Sequence, residues 1–297
     1  MPKVCVVGSA NLDLNAAVER FPAPGETLHG RSFSTGFGGK GANQAVMAAR
    51  RGAEVRFIAR VGTDPFGRDM LEHFRSEGID TRHVRLTEGV STGAAVITID
   101  AQGRNTIVVV PGANGMLTAA DIEAARDAIE SAGALVCQME VPWEANAAAI
   151  RIANAAGVPV LFNPSPAPER LPDSTFADVA VLCLNETEAS ILTGVPAEES
   201  EACAKDLLGR GVPAVVLTLG ERGCLLGTKS LMKLIPAPRV PVVDTTGAGD
   251  AFLGSLAFDL AAGLELEAAA VQACRVAALS VQRPGTQASY PRKWELG

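Results

Sequence analysis

Short apolar runs alternate with stretches of helical periodicity along most of this chain. Val4–Val7, Val55–Val61, Leu135–Gln138, Pro159–Phe162, Val179–Leu184 and Ala214–Leu219 are apolar segments of strand length, the pattern of strands buried on both faces. Between them, Ala42–Arg51, Arg68–Ser76, Ala119–Ser131, Glu144–Ala156, Glu199–Arg210, Ala251–Ala262 and Glu267–Gln282 carry apolar residues at helical spacing. Thr118, with Asp121 three residues on, predicts a capped helix start, and Gly52, Gly78, Gly157 and Gly211 stand where a left-handed residue ends a helix. Repeated strand–helix alternation predicts an α/β fold, a parallel sheet covered by helices on both faces.

Two segments break this rhythm. Asn11–Phe37 alternates residue types around Pro22, Pro24, Gly25 and Gly30. Thr92–Val110 reads as a hairpin, with Gly93–Asp100 and Arg104–Val110 joined by Ala101-Gln102-Gly103. Both have the alternation of a half-exposed sheet, so residues 11–37 and 92–110 are expected to form a small β-lid. They are insertions in a single domain spanning residues 1–297, with no internal repeat.

Composition narrows the partner. A chain that is 47% hydrophobic and 20% charged can bury a large core, and its formal charge of −7 disfavours non-specific nucleic-acid binding. Aromatic residues make up only 4%, too few for base-stacking platforms. Cys5, Cys137, Cys183, Cys203, Cys224 and Cys274 form no C-x-x-C pair and mostly lie in apolar runs, as expected of buried free thiols in a reducing compartment. His29, His73 and His83 lack metal-ligand spacing. A strand begins at Lys3 and no apolar run reaches membrane-spanning length, so no signal peptide, no membrane contact and a cytosolic location are expected.

The stretch that carries most chemistry is Asp244-Thr245-Thr246-Gly247-Ala248-Gly249-Asp250, which opens into an apolar helix. Unpaired amides at a helix start, reinforced by the helix dipole, bind anions, and Gly247 and Gly249 let the main chain approach an oxyanion. Asp250, a carboxylate beside a phosphate-sized anion site, is expected to take a proton from a hydroxyl that attacks phosphorus.

Other motifs support a phosphorylated or hydroxylated ligand. Asn11 and Asp13 lie two apart on an extended segment and share a side, an amide and a carboxylate suited to sugar hydroxyls, although an Asx turn explains them locally. Gly38-Gly39-Lys40-Gly41-Ala42-Asn43-Gln44 sets glycines around a lysine at a helix mouth. It is no P-loop, because Gly41 follows the lysine, and its match to a dinucleotide fingerprint follows no buried strand. Glu140 ends a strand, where open sheets bind ligands. Asn185 with Glu188 reads both as a capping box and as an outer sphere for Mg²⁺ and phosphates. Thr218–Gly223 can cover a nucleotide or make a plain hairpin turn. Helix-end carbonyls in Ser280–Ser289 could bind a monovalent cation.

Together, Gly38–Ala45 and Asp244–Asp250, in this order and roughly 200 residues apart, resemble the two signatures of the ribokinase family of sugar and nucleoside kinases, and the resemblance runs from Val4 to about Pro291. Gly8–Asp13, Phe21–Thr27 and Gln138–Glu140 tilt it toward the ribose-phosphorylating members. The resemblance implies a ribokinase-like three-layer fold, a central mostly parallel sheet flanked by helices, with a β-sheet lid that doubles as a homodimer clasp. It implies transfer of the ATP γ-phosphate to the 5-hydroxyl of D-ribose, or to another sugar or a nucleoside. Asn11, Asp13, Gly39, Lys40, Asn43 and Glu140 would hold the sugar, and Asp250 would be the base. Gly247, Ala248 and Gly249 would form the anion hole. Asn185, Thr218, Gly220, Gly223 and Gly249 would contact ATP, and Asn185 and Glu188 would order Mg²⁺ through water. Asp244, Thr246, Ser280, Arg283, Gly285 and Ser289 match positions around an activating K⁺. Cys274 departs from the pattern: it stands near the expected adenine position in place of His or Asn.

Overall fold

The computed structural model describes residues 1–296. The first strand, β1 (Lys3–Val7), is followed by a pair, β2 (Asn11–Ala17) and β3 (Ser32–Gly38), and by helix α1 (Lys40–Arg51). Next come β4 (Glu54–Gly62), α2 (Pro65–Ser76), the short β5 (Val84–Thr87) and the hairpin β6 (Gly93–Ile99) with β7 (Asn105–Val110). Helices α3 (Ala119–Ala124) and α4 (Arg126–Glu130) lead to β8 (Ala134–Gln138), α5 (Trp143–Ala155) and β9 (Val160–Asn163). Then follow α6 (Ser174–Asp178), β10 (Val181–Asn185), α7 (Glu186–Thr193), α8 (Ser200–Gly209) and β11 (Ala214–Thr218). The chain ends with an antiparallel pair, β12 (Cys224–Thr228) and β13 (Met232–Ile235), and two long helices, α9 (Ala248–Ala261) and α10 (Leu266–Ser280).

Nine strands form the main sheet in the order β13-β12-β11-β10-β9-β8-β1-β4-β5, parallel from β5 to β11 and antiparallel at β12 and β13. Side chains alternate across a strand, and β1 shows the consequence. Val4 and Val6 pack on one side with residues of α1, α9 and α10, whereas Cys5 and Val7 pack on the other with residues of α3, α4, α5 and α8. Both faces are covered, giving three layers. A second sheet of four strands, β3-β2-β6-β7, projects from the carboxyl end of β1 as the lid.

Local chemistry explains most boundaries. Gly52, Gly78, Gly157 and Gly211 follow helices at φ of 106°, 75°, 71° and 108°, a region only glycine enters cheaply. Thr118 and Asp121 make the reciprocal capping box at the start of α3. Some expectations shift. The helix expected over Ala119–Ser131 is two helices that meet at Ala125. The strand expected from Val179 starts at Val181, and the one expected to end at Glu140 stops at Gln138. The lid hairpin departs from alternation, because all six residues of β7 are exposed. Strands β5, β12 and β13 and helices α6 and α7 are not among the elements that the pattern predicts.

Candidate active site

Loops converge where the parallel strands end, the position at which an open α/β sheet leaves room for a ligand. Ser9 and Asn11 follow β1, Glu140 follows β8, Asn185 closes β10 and Thr218 closes β11. A cleft of about 180 Å³ opens there, with Lys40, Asn185, Glu188, Thr218, Ala248, Gly249 and Asp250 in its wall.

The N-terminus of α9 supplies one wall. Gly247 starts the helix in the left-handed region (φ 75°), no side chain caps it, and Asp250 sits in its first turn, buried. The Ala248 amide donates to the Thr245 carbonyl at 3.2 Å, and the helix dipole with the other first-turn amides gives this wall a positive potential. The two glycines differ in purpose. A Cβ on Gly247 would lie 2.4 Å from Thr286 Cγ2 and 2.7 Å from Tyr290 Oη, whereas nothing lies within 4 Å of one on Gly249. Gly247 therefore serves the fold, and Gly249 leaves space in the cleft. Gly247→Ala is expected to cost about 1–3 kcal/mol of stability. Gly249→Ala is expected to melt close to the parent and lose turnover. Thermal unfolding and rate measurements on both variants check this contrast.

Asp250 is held through both oxygens. Asn43 Nδ2 donates to Oδ2 at 2.9 Å and Gln44 Nε2 donates to Oδ1 at 2.8 Å. The two donors are adjacent on α1, whose close packing on α9 is permitted by Gly254: a Cβ there would lie 2.5 Å from the Gln44 carbonyl oxygen.

Carboxylates gather beside the cleft, toward the lid; Asn11, Asp13, Gly39, Asn43 and Glu140 do not themselves line the cleft wall, whereas Lys40 and Asp250 do. Glu140 Oε2 accepts from Ser9 Oγ at 2.5 Å and from the Lys40 amide at 2.9 Å, so Glu140 caps the start of α1 across the chain. Asn11 Oδ1 accepts from Asn114 Nδ2 at 2.6 Å. Asp13 lies on the same face of β2, and a Cβ on Gly38 would fall 2.5 Å from both of its carboxylate oxygens. Gly39, at φ 86°, passes so close to β2 that a Cβ would meet the Asn11 amide at 2.7 Å. Burial, then the Glu140 and Asp250 charges, push the Asp13 carboxyl up to about 7. Burial pulls the Lys40 ammonium down, but the carboxylates of Asp250, Glu140 and Glu188 outweigh it and the net shift is upward, keeping a cation in the cleft.

At the other end, Asn185 and Glu188 make a reciprocal capping box: Glu188 Oε2 accepts the Asn185 amide and Asn185 Oδ1 accepts the Glu188 amide, both at 2.9 Å. Leu219–Gly223 is the turn of the β11–β12 hairpin, closed by the Leu219 amide on the Gly223 carbonyl at 2.8 Å. Thr218 reaches the cleft wall, and Gly220 and Gly223 lie outside it. Cys274 is buried with its sulfur 3.7 Å from that of Cys224 and does not line the cleft.

Asp244 ties the loop before α9 to the chain after α10. Its Oδ1 accepts from the Thr246 amide at 2.9 Å and hydroxyl at 2.6 Å, and its Oδ2 accepts from the Gly285 amide at 2.8 Å. Burial raises the Asp244 carboxyl, and these hydrogen bonds overcome it and hold the group below the usual carboxylate range. The hydroxyls of Ser280 and Ser289 donate to the carbonyls of Ala277 and Thr286, both at 2.8 Å, and the Arg283 guanidinium pairs with Glu295. What Ser280, Arg283 and Ser289 can offer a cation is therefore backbone oxygen.

The family model for pfkB family carbohydrate kinases matches residues 1–293. The chain belongs to this family. Among relatives of this pfkB kinase, a ribokinase of Mus musculus is 43% identical over 300 residues, covering 99% of this chain and 93% of the relative. A deoxyribokinase of Salmonella typhi is 38% identical over 291 residues, covering 97% and 95%. The structure of Arabidopsis thaliana ribokinase complexed with ribose and ATP superposes with a TM-score of 0.92 at 32% identity, covering 99% of this chain and 97% of that one.

The pfkB kinase also holds, around this cleft, polar residues that the sequence pattern does not single out. Ser9, Gln44, Asn114, Gln138, Gln287 and Tyr290 are buried and hydrogen-bonded around the site. A signal existed for Gln44 and Gln138, polar residues inside otherwise apolar buried elements. Asn114 and Gln287 carry none, since one sits in the short 3₁₀ turn Gly112–Met116 and the other in a loop, where polar residues are ordinary. Among the described residues, no helix of the kinase is long and apolar enough to cross a membrane, and no three His, Cys, Asp or Glu side chains cluster to hold a metal.

Proposed function

We propose that this kinase transfers the γ-phosphoryl group of ATP to the 5-hydroxyl of D-ribose, giving ribose 5-phosphate and ADP. The observation that carries this reading is the position of Asp250. It lines the cleft together with Asn185, Glu188 and Thr218, its charge reaches Asp13 in the carboxylate group beside the lid, suited to sugar hydroxyls, and the N-terminus of α9 carries no side-chain cap beside it. The likeness to ribose-phosphorylating relatives selects the sugar. We take residues 1–297 as one catalytic unit, with segments 11–37 and 92–110 as its lid.

In this reading Asn11, Asp13, Gly39, Lys40, Asn43 and Glu140 surround the sugar, and Asn43 acts chiefly through Asp250. Asp250 accepts the proton of the attacking hydroxyl. Gly247, Ala248 and Gly249 direct amides at the migrating phosphoryl oxygens, and Lys40 adds a fixed positive charge. Such prearranged donors account for most of the barrier reduction in phosphoryl transfer. Asn185, Thr218, Gly220 and Gly223 lie along the nucleotide.

The donors present fit the expected ions. With one oxygen spent on its cap, Glu188 keeps the other for a water, and magnesium keeps several waters and takes the rest of its shell from phosphate. Asp244, Thr246, Ser280, Arg283, Gly285 and Ser289 present hard oxygen around a loop already cross-linked through Asp244. When bound there, potassium supplies charge that rigidifies the Asp244–Gly249 turn. Ile107, Val108 and Val109 of the lid are 52%, 63% and 52% exposed, which supports a homodimer clasped lid to lid. A monomeric mass in sedimentation at assay concentration excludes that dimer. The six buried free thiols suit a reducing, cytoplasmic setting.

One further acceptor merits a direct comparison, because a deoxyribokinase is nearly as similar as the ribokinases. Coupled ADP release is expected to favour ribose over 2-deoxyribose, fructose and adenosine in kcat/KM, with a rise on adding potassium. A preference for deoxyribose moves the assignment to that sugar.

A further inference from the structure

Two chains of side-chain amides converge on Asp250, one on each oxygen. On one side His73 Nε2 meets Gln287 Oε1 at 2.8 Å, Gln287 Nε2 donates to Asn43 Oδ1 at 2.8 Å, and Asn43 Nδ2 donates to Asp250. On the other side Gln138 Nε2 donates to Gln44 Oε1 at 2.7 Å, and Gln44 Nε2 donates to Asp250. Gln44, Gln138, Asn43 and Gln287 are at most 5% exposed, so water cannot replace these bonds cheaply.

The polarity of both chains is dictated from the centre. An ionised carboxylate only accepts, so the nearest amide on each side must present N–H, and each amide behind it must do the same. Reversing any one would set an oxygen against an oxygen. The Gln287 end is also fixed in place. Its carbonyl accepts Arg50 Nη1 at 2.6 Å, the Tyr290 carbonyl accepts the same atom at 2.9 Å, and Arg50 is paired with Glu77 out of solvent. The His73 ring stacks on Phe37 of the lid strand β3, with centroids 4.1 Å apart and planes inclined by 10°. Burial lowers the pKa of His73, and hydrogen bonding to Gln287 and the Glu77 charge work against that.

We propose that Gln287 and His73 are positioning residues: through Asn43 they set the orientation of the Asp250 carboxylate, and they tie that orientation to the lid. The inference rests on the reading of Asp250 as the base. A base displaced by about 1 Å loses on the order of 10²-fold in rate, and this is the quantity such a chain protects.

Gln287→Glu provides the test, because it keeps size and shape and replaces the donor to Asn43 by an acceptor. It is expected to lower kcat 10- to 100-fold, with KM for ribose and for ATP within threefold of the parent at saturating potassium. His73→Leu is expected to lower kcat in the same way, and His73→Gln, which keeps an N–H at the same distance along the side chain, to restore most of it. Circular dichroism confirms folding, and if Gln287→Glu does not fold, the neutral Gln287→Met decides by the same criterion. A kcat within threefold of the parent for Gln287→Glu, or loss in His73→Gln equal to that in His73→Leu, overturns the proposal. Parent turnover with ribose and its loss in Asp250→Asn are measured alongside. If those controls fail, the functional reading is at fault; if they hold and Gln287→Glu is unaffected, only the positioning role falls.

Discussion

Asp250→Asn lowers turnover by a factor of about 10³ while the protein still folds; general-base catalysis of this kind contributes about 10²–10⁴. The substitution keeps shape and removes only the capacity to take a proton. It also has a predictable side effect. Both oxygens of Asp250 accept amide N–H groups, so an asparagine must turn its own NH₂ toward either Asn43 or Gln44. One of the two amide chains then has to reverse, ending at His73, whose Nε2 accepts in its other tautomer, or at Gln138, whose Oε1 already lacks a partner; what is lost is the charge assistance of the bonds to residue 250, about 1–2 kcal/mol. A modest drop in melting temperature is therefore expected along with the lost rate. Steady-state ADP release and thermal unfolding on the same sample measure the two effects. Turnover close to that of the parent would remove Asp250 from the reaction.

Asp13→Asn is expected to act in opposite directions on binding and on stability. The Asp13 carboxyl is raised to about 7, first by burial and then by Glu140 and Asp250. In the unfolded chain it titrates as an ordinary carboxylate, so between about pH 4 and pH 7 the folded state binds the extra proton. The stabilisation linked to that proton is complete below the unfolded value and is lost as pH rises through about 7. At pH 8 the ionised Asp13 thus weighs against folding, on the order of a few kcal/mol, and replacing it by asparagine relieves this. The variant should melt several degrees higher at pH 8 and within a degree or two of the parent near pH 4.

Sugar binding runs the other way. The ionised carboxylate accepts from hydroxyls on both oxygens, and protonation costs it an acceptor. KM for ribose in the parent is expected to rise toward tenfold per pH unit below about 7. In Asp13→Asn, KM should be high at every pH and the acid limb should flatten. Melting curves and ribose KM from pH 5 to 9 test both halves. An unchanged pH profile for KM in the variant would separate Asp13 from the sugar.

These two residues also mark how far the linear pattern reached. Asp250 was legible because its neighbours are local: a glycine turn, a helix start and a carboxylate in seven consecutive residues imply an anion site without knowledge of the fold. The layered architecture was legible for the same reason. Apolar runs and helical periodicity are properties of neighbouring positions, and the glycines that end helices act within one turn. Asp13 was legible as a polar residue beside Asn11, but its raised pKa was not, because Glu140 and Asp250 come from other parts of the chain. Strands β5 and β13 carry Arg85 and Lys233 inside them and so present no continuous apolar run, and the exposed face of β7 followed from what the lid leaves uncovered.

The sequence by itself thus determined the alternating layers, the glycine-lined helix mouth and the acid beside it, all of which depend on interactions between residues close in the chain. Only the tertiary structure decided how that acid is held. Asn43 and Asp250 are 207 positions apart and Asn43 and Gln287 are 244 apart, so nothing in either neighbourhood encodes their contact. A buried amide must find a partner wherever the packed layers bring one, and that partner is chosen by the geometry of the whole fold.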